Sequence, residues 1–365
     1  MAKLKNIPLV LKMIGDKYIN IQKHSSPVEL YQLNYSHSCQ ADHVWNEATL
    51  QCRGIIVDGD MNIIARPFEK FYNYEELLEQ GVEIPNLPFE VYEKMDGSLG
   101  ILYWIDDTPY LATRGSFKSE QALHGTEILH TKYKDMWSRF DRSKTYLFEI
   151  IYPEDKHCID YHGEIDDIYL LAIIDTETGE ETDSIDNYRD CLSVTKHYEG
   201  IKDWKTIRED FDGTNREGFV IRFSNGFRMK LKYEEYFKIH FMRSYLTKKT
   251  IFEHILAGTL DEIEERLSYL DEENVLYYKK LKKEILDRYD EIEKEFLSIY
   301  RERGMLESPK EYAEWALKQK GWSGMIFQKE KGGDYSQIIW KMIKREIKEE
   351  NKGTIYDEDE SLWSI

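Results

Sequence analysis

Residues 89–103, FEVYEKMDGSLGILY, decide how this chain is read. Phe89 to Glu93 alternates side chains at the two-residue period of a strand. Asp96-Gly97 breaks the run, and Leu99 to Tyr103 is apolar again. Strand, Asp-Gly, strand is the strongest short-range hairpin signal, so an antiparallel hairpin is predicted here. Lys94 lies where the first strand enters the turn. The ordinary reading of such a residue is a solvated strand-end lysine. A lysine partly withdrawn from water loses proton affinity and can act as a nucleophile near neutral pH.

The surrounding chain bounds the possibilities. Its 365 residues suffice for two domains, and 41% hydrophobic and 13% aromatic content supports a sizeable core. The sequence has no run of 18 apolar residues, and residues 1–20, with Lys3, Lys5, Lys12, Asp16 and Lys17, lack the apolar centre of a signal peptide. Cys39, Cys52, Cys158 and Cys191 are scattered without a CxxC pair, which argues against a zinc site or disulfide framework and for a reducing cytoplasm. The net charge of −19 speaks against a polyanion partner until its distribution is read. Residues 154–190 hold thirteen acidic residues against Lys156 and Arg189. Residues 214–249 hold nine basic residues against Glu217, Glu234 and Glu235. A basic stripe inside an acidic shell still binds polyanions locally.

Outward from the opening stretch, Cys52–Val57 reads as a strand bearing Arg53. Lys70 precedes the aromatics Phe71 and Tyr72, and Tyr110–Thr113 is a short strand followed by Arg114-Gly115-Ser116. Ser119–Tyr133 looks helical. Thr145–Tyr152 is an apolar strand with Glu149 on the face of Leu147 and Ile151, where a carboxylate is costly unless paired or used. Tyr169–Asp175 is another strand. Residues 1–50 carry apolar and aromatic positions enough to pack on a sheet. In Glu217–Lys232, EGFVIRFSNGFRMKLK, Asn225-Gly226 predicts a two-residue hairpin loop. That register puts Arg228, Lys230 and Lys232 on one face with Phe219, Ile221, Phe223 and Glu217, a face that could sandwich a ring between cations.

After about Arg243 the pattern turns helical. Thr250–Ala257 is amphipathic and ends at Gly258. Thr259–Glu262 fits a capping box. Tyr278, Leu281, Ile285, Tyr289, Ile292, Phe296 and Ile299 mark one long helix ended by Gly304. Ser308-Pro309-Lys310-Glu311 opens another helix, which stops at Gly321. Tyr335–Glu350 reads as the last helix, and the acidic tail Asp357–Glu360 as loose. The apolar seam reads as bundle core rather than an oligomer zipper, hence a monomer.

These pieces form a known constellation. Lys94-Met95-Asp96-Gly97-Ser98 resembles the KxDG motif of covalent nucleotidyltransferases, and it is joined in family order by Arg114-Gly115-Ser116, Phe148-Glu149, Glu217-Gly218-Phe219 and Lys230-Leu231-Lys232. CRGIIV, ARPFEKFYN, RGSFKSEQAL and EGFVIRF are similar to the RNA ligase 1 family, typified by the T-even phage enzyme. The resemblance implies an α+β fold: an antiparallel-sheet nucleotidyltransferase domain (ATP-grasp-like, residues 1–243) followed by an all-α domain (residues 244–365). It implies an ATP-dependent RNA ligase in which Lys94 is the nucleophile and carries AMP. It further implies that Tyr35, Arg53, Lys70, Phe71 or Tyr72, Arg114, Glu149, Glu217, Lys230 and Lys232 bind the nucleotide, Glu149 through the ribose and the lysines through the phosphates. Mg²⁺ (or Mn²⁺) is implied as cofactor, with Glu217 and Asp261 toward the metal. Asp261 and Glu262 head a helix, so capping is their other reading. For Lys94 to attack, neighbouring cations and the metal are expected to lower its pKa. The phage type enzyme has lysine where this chain has Arg114, which exchanges a point charge for a planar fork.

The implied partners are single-stranded RNA or broken tRNA with 5′-phosphate and 3′-hydroxyl ends, delivered by an end-healing kinase–phosphatase. The implied location is the cytoplasm, the host's if the chain is phage-encoded. A DNA ligase or capping guanylyltransferase is the competing enzyme class, but those usually continue into a β-rich OB-fold. An inactive RNA-binding relative is the non-enzymatic alternative.

Overall fold

The computed structural model describes residues 2–350 except 26–27, 156–157, 183, 266, 268–269, 271, 305 and 307, with 243–245 described as backbone alone. The acidic tail Asp357–Glu360 lies outside the described residues. Contacts divide the chain into two compact units, at Phe237/Lys238. That boundary falls within the helix Glu234–Tyr245.

Among the described residues the strands of the first unit form three four-stranded antiparallel sheets. β1 (Ile19–Lys23), β2 (Leu30–Tyr35), β3 (Arg53–Asp58) and β4 (Ile63–Ala65) build the first in sequential order. β5 (Phe89–Lys94), β6 (Ser98–Ile105), β7 (Thr108–Ala112), β8 (Lys144–Ile151) and β9 (Asp167–Asp175) follow, then β10 (His197–Tyr198), β11 (Gly218–Phe223) and β12 (Arg228–Lys232). The second sheet runs β7-β6-β8-β9 and the third β10-β5-β11-β12. Leu30, Ile56 and Ala65 of the first sheet pack on Ile101, Tyr103, Leu147 and Ile174 of the second. The second sheet's other face buries Leu111, Phe148 and Ile150 against Ile128 and Leu129, which lie in the helix Glu120–Thr131 capped by Ser119.

β5 and β6 therefore do not form the hairpin that Asp96-Gly97 suggests. They belong to different sheets, and the Lys94–Ser98 segment is the crossover between them. Neither Asp96 nor Gly97 takes the positive φ that a type I′ turn demands. Gly97 is needed for another reason: a Cβ there would stand 2.6 Å from the Ile150 carbonyl oxygen and 2.9 Å from Glu149 Cγ. The motif glycine thus lets the crossover press against β8.

The 217–232 hairpin forms in a different register from the predicted one. Phe219 faces Leu231, Val220 faces Lys230 and Arg222 faces Arg228. The loop has three residues, Ser224-Asn225-Gly226, closed by a 2.8 Å bond from Phe223 N–H to the Phe227 carbonyl. Gly226 takes φ +84°, as a three-residue loop with a bulge requires. One residue of slip exchanges the faces of a strand. Phe219, Ile221 and Phe223 consequently join Met229 and Leu231 in the core, while Lys230 and Lys232 share their face with Val220.

The N-terminal fifty residues, read only as packing material, supply β1, β2 and the helix Ile7–Gly15, whose Val10 and Met13 pack with Ile19, Leu33, Ile55 and Val57.

The second unit is helical. The helix Glu272–Arg301 spans 30 residues, about 45 Å at 1.5 Å per residue. Its predicted seam is the core: Tyr278, Leu281, Ile285, Ile292 and Phe296 pack with Ile251, Phe252, Ile339, Ile343 and Ile347. Ser308 caps the helix Pro309–Lys318 as predicted. Thr259 caps nothing: its hydroxyl meets His254 Nδ1 at 2.8 Å instead, so the expected capping box is absent. No described helix is long and apolar enough to cross a membrane.

Candidate active site

Lys94 ends β5, opposite Gly218 of β11. Its Nζ donates to Glu217 Oε2 at 2.7 Å, and Lys232 Nζ donates to Glu217 Oε1 at 2.9 Å. Both carboxylate oxygens are therefore engaged, and Glu217 is 3% exposed. Gly218 makes this possible. Its φ of +146° re-aims the chain before β11, and a Cβ would stand 2.2 Å from the Leu231 carbonyl oxygen. Burial alone would raise the Glu217 pKa, but Lys94 and Lys232 outweigh it and hold the carboxyl down to about 2.

The expectation that neighbouring cations lower the Lys94 pKa is not met. Burial acts in that direction, but Glu217, Glu149 and Asp96 outweigh it and raise the pKa above its ordinary value. The depressed lysine is Lys230. Burial, followed by Arg53, Lys232, Lys94 and Lys70, pushes its pKa well below the ordinary range. Lys230 is half-buried at the centre of the cations, with Nζ 5.1 Å from the Phe71 ring. Its backbone N–H donates to the Tyr72 carbonyl at 2.9 Å, tying the 70–73 segment to β12. Arg228, the third cation of that strand face, is paired with Glu181 and lies 4.3 Å from the Phe68 ring.

The opposite wall uses rings instead of carboxylates. Lys70 Nζ sits 4.4 Å from the Tyr72 ring centre, 4.5 Å from Trp45 and 6.0 Å from Tyr35. Such faces attract a cation without neutralising it. Burial first, then Arg53 and Arg114, lowers the Lys70 pKa despite Tyr35 and Glu76. Arg114 Nη1 donates to the Tyr35 hydroxyl at 3.1 Å. Although burial raises the Tyr35 pKa, Arg114, Arg53 and Lys70 bring it below its ordinary value. Arg53 Nη1 is buried without a hydrogen-bond partner among the described residues. A buried guanidinium nitrogen left unpaired points to an anionic guest.

The motif's Asp96 has a structural task. Its carboxylate accepts from Ile159 N–H at 2.9 Å and from the Tyr236 hydroxyl at 2.8 Å, and its own N–H donates to the Tyr161 hydroxyl. Glu149 Oε1 accepts from Gly97 N–H at 3.0 Å, which pins the crossover to β8. Asp261 lies in the second unit, exposed in the first turn of the short helix Leu260–Glu264. No group of three or more His, Cys, Asp or Glu among the described residues could hold a metal ion unaided. Mg²⁺ commonly uses one or two carboxylates together with substrate phosphates and water, and here Glu217 has both oxygens already held by Lys94 and Lys232.

Trp45, Tyr161 and Tyr236 escape sequence reasoning. Trp45 and Tyr236 lie close in sequence to Tyr35 and Lys232, but no local period marks any of the three.

Residues 51–246, more than half of the chain, match the family model described as RNA ligase. An RNA ligase of Rhodothermus phage RM378 is 25% identical over 360 residues, covering 78% of this chain and 79% of that protein. A putative bifunctional polynucleotide kinase/RNA ligase of Autographa californica nuclear polyhedrosis virus is 25% identical over 260 residues. That match covers 63% of this chain but 36% of the longer viral protein. Among solved structures, an archaeal ATP-dependent RNA ligase aligns with TM-score 0.49 and 12% identity, over 91% of this chain and 97% of that one. The family-model match alone settles membership: the chain belongs to the RNA ligase family.

Proposed function

We propose that this protein is an ATP-dependent ligase that joins a 5′-phosphate end to a 3′-hydroxyl end of single-stranded RNA through a Lys94–AMP intermediate. One observation carries this reading. Lys94 Nζ is hydrogen-bonded to a buried Glu217 at the edge of a cationic basin whose centre, Lys230, feels Arg53, Lys232, Lys94 and Lys70 together. A nucleoside triphosphate supplies the charge such a basin lacks.

In the first step Lys94 Nζ, having passed its proton to water or a phosphate oxygen of the nucleotide, attacks the α-phosphorus. The nitrogen–phosphorus bond forms and the bond to the bridging oxygen breaks, so pyrophosphate leaves. Lys230, Lys232, Arg53 and Lys70 are placed to stabilise charge on the phosphates as it builds. Arg114, anchored on Tyr35, flanks them. Glu217 orients the amine and keeps it protonated until a nucleotide arrives. A divalent cation carried on the nucleotide phosphates would neutralise their charge and favour the neutral amine. In the second step an oxygen of the RNA 5′-phosphate attacks the AMP phosphorus and Lys94 is released. In the third a 3′-hydroxyl attacks the activated 5′-phosphate, and AMP departs.

Ligation of 5′-phosphorylated single strands tests the reading, with ATP against GTP and RNA against DNA. The expected result is ATP-dependent joining of RNA, with a broken anticodon loop included as one substrate. Joining of nicked duplex DNA alone, capping with GTP, or RNA binding without turnover would contradict it.

A further inference from the structure

The first sheet carries a row of side-chain amides that the ligation chemistry leaves unused. Asn20 and Gln22 of β1 pair with Asn34 and Gln32 of β2. Cross-strand partners share a face, so four amides stand together there. With Ile21 and Gly115 they line a cleft of about 240 Å³. Gly115 follows Arg114, whose guanidinium meets Tyr35, the residue after Asn34. The cleft therefore adjoins the nucleotide pocket within one unit.

Its polar atoms are incompletely used. Gln32 is 2% exposed and its Nε2 donates to the Thr113 carbonyl at 2.6 Å. Its Oε1 is buried and accepts nothing from the described residues, and the same holds for Asn34 Oδ1. Two buried carbonyl oxygens without donors are uncommon in folded proteins and call for a reason. The strand irregularity between Leu33 and Asn34 sets Asn34 against Arg53, out of the regular register. The lining residues carry no charge, so the cleft cannot compete with Arg53, Lys70 or Lys230 for phosphate. Spare acceptors in a neutral cleft select a neutral donor.

We propose that this cleft binds a ribose of the RNA strand being joined, with Asn34 and Gln32 as acceptors for a 2′-hydroxyl and Asn20 at the rim. The 2′-hydroxyl is the group by which a protein tells RNA from DNA at one position. The inference rests on the RNA ligase reading above and adds to it the place where the sugar is read.

The test measures binding of a fluorescent short RNA by anisotropy, beside a series with one 2′-deoxy substitution moved along the strand. Wild-type protein is expected to lose about tenfold in affinity at one or two positions, the scale of one hydrogen bond lost from a buried acceptor. Asn20→Ala and Asn34→Ala should each weaken RNA binding, and Asn34→Ala should abolish the 2′-deoxy penalty. Both should keep ATP-dependent self-labelling, which needs no RNA. Asn20 is exposed, so its replacement leaves packing intact if Asn34→Ala does not. A wild-type protein indifferent to every 2′-deoxy substitution would overturn the proposal. So would a penalty unchanged in both variants, or one that follows base replacement instead. Failure of wild-type protein to self-label or ligate would count against the ligase reading, and the anisotropy series reads the cleft separately.

Discussion

The two walls of the proposed nucleotide pocket hold their cations by different means. On the third sheet, Lys94 and Lys232 share one buried carboxylate, Glu217. On the first, Lys70 is enclosed by Tyr35, Trp45 and Tyr72, and Arg114 rests on the Tyr35 ring at 5.2 Å. A carboxylate fixes position and keeps an amine protonated. A ring fixes position but leaves the positive charge available. The carboxylate wall thus suits a nucleophile held in reserve, and the aromatic wall suits groups that receive phosphate directly.

Glu217→Gln would disturb the comparison most. It removes one charge from a buried ion pair, and breaking such a pair costs roughly 3–5 kcal/mol. The expected outcome in a denaturant melt is a loss of that order, with self-labelling slowed on the order of 100-fold, the scale of deleting one preorganised electrostatic group. Labelling at the wild-type rate would show that the carboxylate does not orient Lys94.

Acid titration of stability should report the same wall. The Glu217 pKa falls from an ordinary 4.5 to about 2 on folding. Its contribution is therefore present above pH 4.5 and is lost as pH falls toward 2, about 3 kcal/mol in all. Glu217→Gln should flatten that part of the stability profile. The raised Lys94 pKa works at the other end, giving stability that is complete below pH 10.5 and lost as pH rises beyond it. The smallest effect belongs to the aromatic wall. Trp45→Ala removes one ring beside Lys70, worth about 1 kcal/mol, so ATP affinity should fall about fivefold while labelling at saturating ATP changes little. A collapse of labelling at saturation would mean that Trp45 also positions the reacting atoms.

Much of this was legible along the chain, and the exceptions have physical causes. The 3.6-residue period marked the seam from Tyr278 to Phe296 because a helix buries one stripe. Lys94, Glu217, Lys230 and Lys232 were legible as a set because their motifs follow one another in the order of the family they resemble. The hairpin at Asp96-Gly97 was misread because the dipeptide permits a turn but does not compel one. The approach of β8 to Gly97 decides the path, and β8 lies fifty residues away. The register at Asn225-Gly226 was misread because two- and three-residue loops accept the same dipeptide. One residue then separates a ring-binding face from a core face. Cations alone do not set the Lys94 pKa: burial lowers it, but Glu217, Glu149 and Asp96 stand close enough to raise it above its ordinary value. Trp45, β1 and β2 carry no signal of their own: Trp45 meets Lys70 and Tyr72 only in the fold, and β1 is exposed beyond Ile19 and so lacks alternation.

The central claim is that Lys94 becomes covalently bonded to AMP. Incubation with ATP labelled at the α-phosphate and Mg²⁺, followed by digestion and peptide mapping, tests it directly. Acid-labile label on the peptide containing Lys94, and none on Lys94→Ala protein, is the predicted result. An unlabelled wild-type protein, or label that persists in Lys94→Ala, would contradict the account.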